Sequence, residues 1–254
     1  MARRRGSARR RRRGGSGFLY KLLSVFLICG CLVAAITLFF RVDTVVITGE
    51  KRYTEAEIRQ ASGVEDGDNL FLLNKYQVIR NIAEALPYIE IENTRIQRKL
   101  PDTLLIQVQE CGDPLAWTQD GTVWLMSPAG KIVEQTDTAA GYPTVDGCEL
   151  LSPSVGTHTA YETRRESLLE LLAVLDETGD LAKVDAIHLG EASYISMDYM
   201  DRFTVKMPYQ ADFSYKLRVL ELAINSDKIQ DNMTGTFDMR QEDGQVIFDQ
   251  DTRK

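Results

Sequence analysis

From Leu22 to Phe40 the chain runs nineteen residues without a charge, and no polar position recurs there at helical spacing. Coiled as a helix, that stretch spans about 28 Å, close to the hydrocarbon thickness of a bilayer. Inside lipid only a helix satisfies its own backbone, so the pattern predicts a transmembrane helix over residues 22–40. The pattern changes at once after Arg41. Val42 to Gly49 is dense in β-branched residues and closes on a glycine, which predicts a strand starting within a few residues of the membrane. Thr54 and Glu57 have the spacing of a capping box, with Tyr53 and Ile58 placed for a hydrophobic staple; that helix should end at Gly63 in a left-handed cap. Asn74 opens a second helix, with Gln77 at its third position and Leu73 and Val78 spaced for another staple. Val78, Ile79, Ile82, Ala83 and Leu86 fall on one face, and the helix stops before Pro87. Ile89, Ile91 and Ile96 change phase, predicting a bulge or a late strand start. After Pro101-Asp102, Thr103 to Glu110 alternates, with Leu104, Ile106 and Val108 inward. Strand, helix, helix, strand, strand predicts two helices packed on a small three-stranded sheet.

Residues 111–250 read as a second, mostly β domain. Thr122 to Met126 and Lys131 to Glu134 flank Ser127-Pro128-Ala129-Gly130 as a hairpin, and Asp137 to Gly141 is a polar loop. Thr163 to Glu166 has capping-box spacing for a helix carrying Leu168, Leu169, Leu171, Leu172 and Leu175 and ending near Gly179. Strands are predicted at 184–189, 193–198 and 203–207. A helix from Asp212 to Asn225 puts Phe213, Leu217, Leu220 and Ile224 on one face. Thr236 to Arg240 and Gln245 to Asp249 then alternate as two strands around Gln241-Glu242-Asp243-Gly244. The fold class expected is α+β: one transmembrane helix, a βααββ domain, and an antiparallel-rich β domain with two helices.

Charge orients this arrangement. Residues 1–21 carry nine basic side chains and no acidic one, whereas residues 41–254 carry 21 basic against 37 acidic, a net of −16. Basic residues beside a span stay cytoplasmic, so the N-terminus is expected inside and the acidic bulk outside. A cleavable signal peptide is the competing reading, with Val33-Ala34-Ala35 as its site. The apolar run continues to Phe40, however, and an uncleaved single-pass anchor is expected. Ile28 to Cys31 faintly resembles a lipoprotein site, but Leu32-Val33 is no polar tether. The arginine cluster is assigned to topology and anionic head groups rather than to nucleic acid. Ser24, Gly30, Ala34 and Ala35 offer small faces for another span, beside the simpler reading of a plain anchor. Of the four cysteines, Cys29 and Cys31 lie in the span. Cys111 and Cys148 lie outside it, either as a disulfide or as two thiols.

Gly49, Asn69-Leu70-Phe71, Leu86-Pro87-Tyr88, Arg98 to Ile106 and Glu110 together resemble the POTRA domain of the FtsQ/DivIB bacterial cell-division proteins. Pro114 to Trp117, Val123 to Leu125, Gly130 to Ile132 and Pro143 to Gly147 fit the same family, and the likeness covers nearly all of residues 18–250. Cys111 departs from it, standing where the family usually has a basic residue. The expected organisation is a basic tail (1–21), the transmembrane helix (22–40), a POTRA domain (42–110), an FtsQ-type β domain (111–250) and a short tail (251–254).

The resemblance implies a non-enzymatic scaffold at the division septum that binds FtsB- and FtsL-like proteins and passes regulation to septal cell-wall synthases. It also implies that the final strands hold FtsB. A terminal strand at a sheet edge exposes unpaired backbone groups for strand addition, although it can equally just complete its own sheet. The partner-binding residues expected are Arg240, Gln241, Asp243, Gly244, Gln245, Val246 and Phe248. A second surface for other division proteins is expected on the POTRA domain, at Leu104–Val108 read as an edge strand.

Catalytic chemistry is poorly represented. There are two histidines, His158 in a loop pattern and His188 in a strand pattern. No metal-binding His-Glu-x-x-His, paired Cys-x-x-Cys, Gly-x-Ser-x-Gly elbow or phosphate loop occurs outside the span. Acidic pairs such as Asp198 and Asp201 read as solvated surface, and Trp117 and Trp124 as core. No cofactor or metal is expected. The alternative function is a membrane-anchored sensor of a peptide, glycan or small ligand. A translocation POTRA protein would carry tandem repeats, and no internal repeat is visible.

Overall fold

A computed structural model of the chain describes residues 16–49, 51–158, 160–161, 165–241 and 245–251. It opens on α1 (Ser16–Phe39), a 24-residue helix whose apolar side chains are exposed along its length. The helix is long and apolar enough to cross a membrane, and none of its apolar window is buried against the rest of the protein.

The βααββ unit follows: β1 (Thr44–Thr48), α2 (Glu55–Ser62), α3 (Lys75–Ala85), β2 (Arg95–Lys99) and β3 (Thr103–Gln107). The capping signals act as expected. Thr54 accepts from the Glu57 N–H, the Glu57 carboxylate accepts from Thr54, and Gly63 closes α2 at φ 66°. Asn74 caps α3 through the N–H groups of Tyr76 and Gln77. The phase change in the isoleucines resolves as a late start: Ile89 pairs with Glu110 in an isolated bridge, and regular β2 begins only at Arg95.

One expectation is corrected here. The strand Leu104–Val108 is not an edge, because the sheet order is β1-β3-β2. β2 pairs with β3 antiparallel as a hairpin, and β1 returns parallel on its other side. With Leu104 and Ile106 at 0% exposure, β3 is the central strand over α2 and α3. The edges of this sheet are β1 and β2.

The second domain is built on a nine-stranded sheet. Its strands are β4 (Leu115–Gln119), β5 (Thr122–Met126), β6 (Ile132–Thr136) and β7 (Thr144–Asp146). The two-stranded β8 (Leu150–Leu151) and β9 (Ala160–Tyr161) lie apart from it. After α4 (Arg165–Thr178) come β10 (Val184–His188), β11 (Tyr194–Tyr199), β12 (Phe203–Pro208), α5 (Phe213–Ile224), β13 (Gly235–Asp238) and β14 (Ile247–Gln250). The sheet order is β14-β13-β12-β11-β10-β7-β4-β5-β6. Three-residue β7 joins the halves, parallel to β4 on one side and to β10 on the other. Of the predicted capping box at 163–166, Thr163 and Arg164 lie outside the described residues, and α4 begins at Arg165.

Alternation along β4 separates two cores. Trp117 faces a large cluster with Leu168, Leu171, Leu172 and Leu175 of α4 and Phe213, Leu217 and Leu220 of α5. Its neighbour Ala116 faces the other side, where Val123, Leu125 and Val133 pack with Tyr88 of the first domain. Three further contacts cross this junction. The Tyr88 hydroxyl donates to Glu134 at 2.7 Å, and the Lys131 ammonium donates to the carbonyls of Ile89 at 3.1 Å and Ala83 at 3.4 Å. Burial is the main reason the Lys131 pKa is lowered. Cys111 and Cys148 are not disulfide-linked: Cys111 packs at the junction and Cys148 against the larger core. Burial, with the nearby charge of Glu90, pushes the Cys111 thiol up to about 11, so it stays protonated at neutral pH.

Candidate functional site

β14 lies at the end of the nine-stranded sheet, with β13 on one flank and no strand on the other among the described residues. Its seat is aromatic. Phe237 of β13 lies opposite Phe248 of β14, with ring centroids 4.7 Å apart, and both rings meet Phe203 of β12, at 5.0 and 6.1 Å. Phe203 and Phe237 are buried, so Phe248 joins a formed cluster and carries the strand with it. Gly235 permits the approach. A Cβ at that position would lie 2.3 Å from the Asp249 carbonyl oxygen and 3.0 Å from the Phe248 ring.

The chain leaving β13 is pinned from below. Lys216 of α5 is buried at 6% exposure, and its ammonium donates to the carbonyls of Met239 at 2.8 Å and Gln241 at 2.6 Å. Two carbonyls that would otherwise need water are thus satisfied internally, fixing the path of residues 239–241. Met239 also donates its N–H to the Lys206 carbonyl, extending the β12–β13 pairing.

The expected partner-binding residues are distributed unevenly around this edge. The Arg240 guanidinium grips Asp238, with Nη2 2.6 Å and Nε 2.9 Å from its oxygens, and lies 5.0 Å from the Tyr194 ring centroid. That contact holds the Asp238 carboxyl below its ordinary range and raises the Arg240 pKa. Val246 is half-buried against the larger core, and Phe248 faces inward. Gln241 and Gln245 are exposed; Asp243 and Gly244 lie outside the described residues. Ile247, which sequence reasoning passed over, is the large apolar side chain that β14 exposes, at 49%. Its signal was the alternation itself: the residue between inward-facing Val246 and Phe248 cannot share both neighbours' face.

A histidine engaged at both ring nitrogens lies elsewhere, on the polar face where the sheet halves meet. The His188 ring donates or accepts at both nitrogens: Nδ1 is 2.9 Å from Asp146 of β7 and Nε2 is 3.2 Å from Asp198 of β11. Thr204 donates to the remaining Asp198 oxygen. Burial pulls the histidine pKa down, but the hydrogen bonds and charges of Asp198 and Asp146 outweigh it, and the net shift is upward. The arrangement ties three adjacent strands together and leaves no ring nitrogen open to a substrate. Among the described residues no group of three or more His, Cys, Asp or Glu side chains is placed to hold a metal.

The FtsQ-type POTRA domain matches residues 40–110. Beyond it the likeness continues through the β domain. The cell division protein FtsQ of Bradyrhizobium diazoefficiens is 26% identical over 208 residues, covering 82% of this chain and 56% of the relative. The DivIB of Clostridium botulinum (strain Loch Maree / Type A3) is 22% identical over 239 residues, 89% of each chain. Over most of its length the chain is similar to the FtsQ and DivIB cell division proteins. A further DivIB, from Clostridium acetobutylicum, is 26% identical over 167 residues, covering 63% of this chain and 66% of the relative. The matches to the Bradyrhizobium FtsQ and this DivIB thus span under two thirds of those proteins' own lengths. The β14 edge lies outside the POTRA match.

Proposed function

We propose that this chain, similar to FtsQ and DivIB proteins, is a membrane-anchored, non-enzymatic scaffold of bacterial cell division that takes a strand of a partner onto β14. The partner is an FtsB-like protein, held together with an FtsL-like one, and the assembly passes regulation to septal cell-wall synthases. In this reading α1 spans the cell membrane once, the N-terminus is cytoplasmic, and the acidic domains stand outside at the septum. The observation that carries it is the position of β14, whose outer flank has no strand beside it among the described residues.

The chemistry of such docking is main-chain hydrogen bonding, with side chains adding register. A four-residue strand turns the N–H and C=O of every second residue outward, roughly four bonds. At about 1 kcal/mol net each, those bonds alone give an affinity on the order of a millimolar. Two further contributions raise it. Ile247 offers apolar area on the exposed face, and anchoring both partners in one membrane raises their effective concentration without a new contact.

Proline scanning tests the proposal, since proline removes one ladder donor. Successive N–H groups along a strand point to opposite flanks, so Val246→Pro and Ile247→Pro remove one inward and one outward donor. Capture of an FtsB-like segment by the full chain in detergent should be lost in at least one of them, with its melting temperature kept. Wild-type capture by both variants refutes strand addition. A fluorescent fusion spread evenly over the membrane, and depletion that leaves cells dividing normally, would refute the division role itself.

A further inference from the structure

The turn between α2 and α3 is fastened to the end of α1. Asn69 Nδ2 donates to the Ile36 carbonyl at 3.0 Å, inside the last turn of the helix, and Leu70 N–H donates to the Phe40 carbonyl at 2.9 Å. Arg41 and Asn69 form a bridge, Val42 N–H donates to Asp68, and the Phe40 and Phe71 rings meet edge to face at 5.0 Å. A helix rises about 1.5 Å per residue, so Ile36 lies roughly 5 Å inside the end of the span. Asn69 therefore sits at the depth where hydrocarbon gives way to head groups. Its side-chain oxygen also accepts from the N–H groups of Phe71 and Leu72, holding the tip in one conformation.

That tip divides its apolar residues. Leu70 is wholly buried in the domain core, whereas Phe71, Leu72 and Tyr76 are 43%, 78% and 81% exposed. Among the described residues none of the three joins the core cluster of the POTRA domain. Basic Arg41 and Lys75 flank the tip; of the acids in the same turn, Asp66 pairs with Arg59, Asp68 accepts the Glu65 N–H, and the Glu65 side chain is exposed. Apolar and aromatic tips with basic neighbours, at the level of a span's end, suit the head-group boundary of a bilayer.

We propose that Phe71, Leu72 and Tyr76 are a lipid seat: they enter the boundary of the leaflet in which α1 ends and fix the POTRA domain against the membrane surface. The inference rests on α1 spanning the bilayer. Its consequence is geometric, since a domain held at two places cannot swivel about residues 40–42 and presents the rest of the chain at a set angle.

The test uses the full chain in phosphatidylcholine vesicles brominated near the head-group end of the acyl chains, with tryptophan placed by L72W, by F39W in α1 and by L151W in the β domain. Trp117 and Trp124 contribute the same background to all three. The emission added at position 72 should be mostly quenched, like that at 39 and unlike that at 151. An unquenched position 39 means that α1 does not span, which removes the premise. Quenching at 39 with a water-exposed, unquenched position 72 overturns the seat alone. A shielded but unquenched position 72 also overturns it, and assigns the tip to a protein surface instead.

Discussion

The nine-stranded sheet ends at β6 on one side and at β14 on the other, and the chain finishes these two edges differently. On the β6 side the start of the outer flank is covered by a loop. Ile132 donates its N–H to Thr157 and accepts from Gly156, Lys131 bridges to His158, and Glu134 and Lys131 reach across to the POTRA domain. On the β14 side the aromatic cluster holds the strand from beneath while nothing described lies beside it. Uncovered strand edges invite unwanted pairing, and proteins generally blunt them. A chain that covers the start of one edge with a loop has the means to cover the other. That contrast supports the proposal that the open edge is a docking site.

Breaking the seat of β14 should have the largest effect. Phe237→Ala removes a ring at 1% exposure that touches both Phe203 and Phe248, and should cost about 3–5 kcal/mol in denaturant unfolding. It should also abolish partner capture. The closed edge comes next. Lys131→Ala leaves the Ile89 and Ala83 carbonyls without their donor, and should cost about 1–3 kcal/mol. Hydrogen exchange at residues 83–89 should rise while β14 keeps its behaviour, which separates the two edges. Gly235→Ala sharpens the comparison further. Its methyl group collides with the Asp249 carbonyl, so β14 should be displaced, at a cost of about 1–3 kcal/mol, with the POTRA domain unaffected.

A pH dependence follows from His188, which joins the halves of the sheet. Its folded pKa is raised, so its contribution is complete below the unfolded value of about 6.5 and fades as pH rises through the folded value. Across that window the unfolding midpoint of the wild type should fall relative to that of His188→Gln; parallel curves would deny the linkage. The smallest expected stability change is at Ile247→Ser, about 0.5 kcal/mol or less for an exposed position. Partner capture should weaken nonetheless, because that side chain faces outward.

Local signals made much of this legible. The uncharged run at 22–40, the Thr54–Glu57 box, the Asn74 cap and the Leu104–Ile106–Val108 alternation each act through neighbours a few residues away, and each appears in the structure where the pattern predicts. What the sequence concealed is set by partners far along the chain. Alternation at Leu104–Val108 reveals a buried face but not the number of flanking strands, and a central strand was read as an edge. Thr144 to Asp146 is too short for any periodicity, yet it joins the two halves of the sheet. The Lys131 clamp is invisible because a lysine in a hairpin ordinarily faces water. At the β14 edge the alternation predicts the strands, but not that Arg240 is occupied by Asp238 while Ile247 is exposed on the outer face.

Hydrogen exchange on the full chain, with and without a bound FtsB-like segment, tests the open edge most directly. Ile132, whose N–H is bonded to Thr157, should exchange slowly in both states, and residues 246–250 should slow markedly only in the complex. If the partner binds and 246–250 exchange as before, the docking surface lies elsewhere on the molecule.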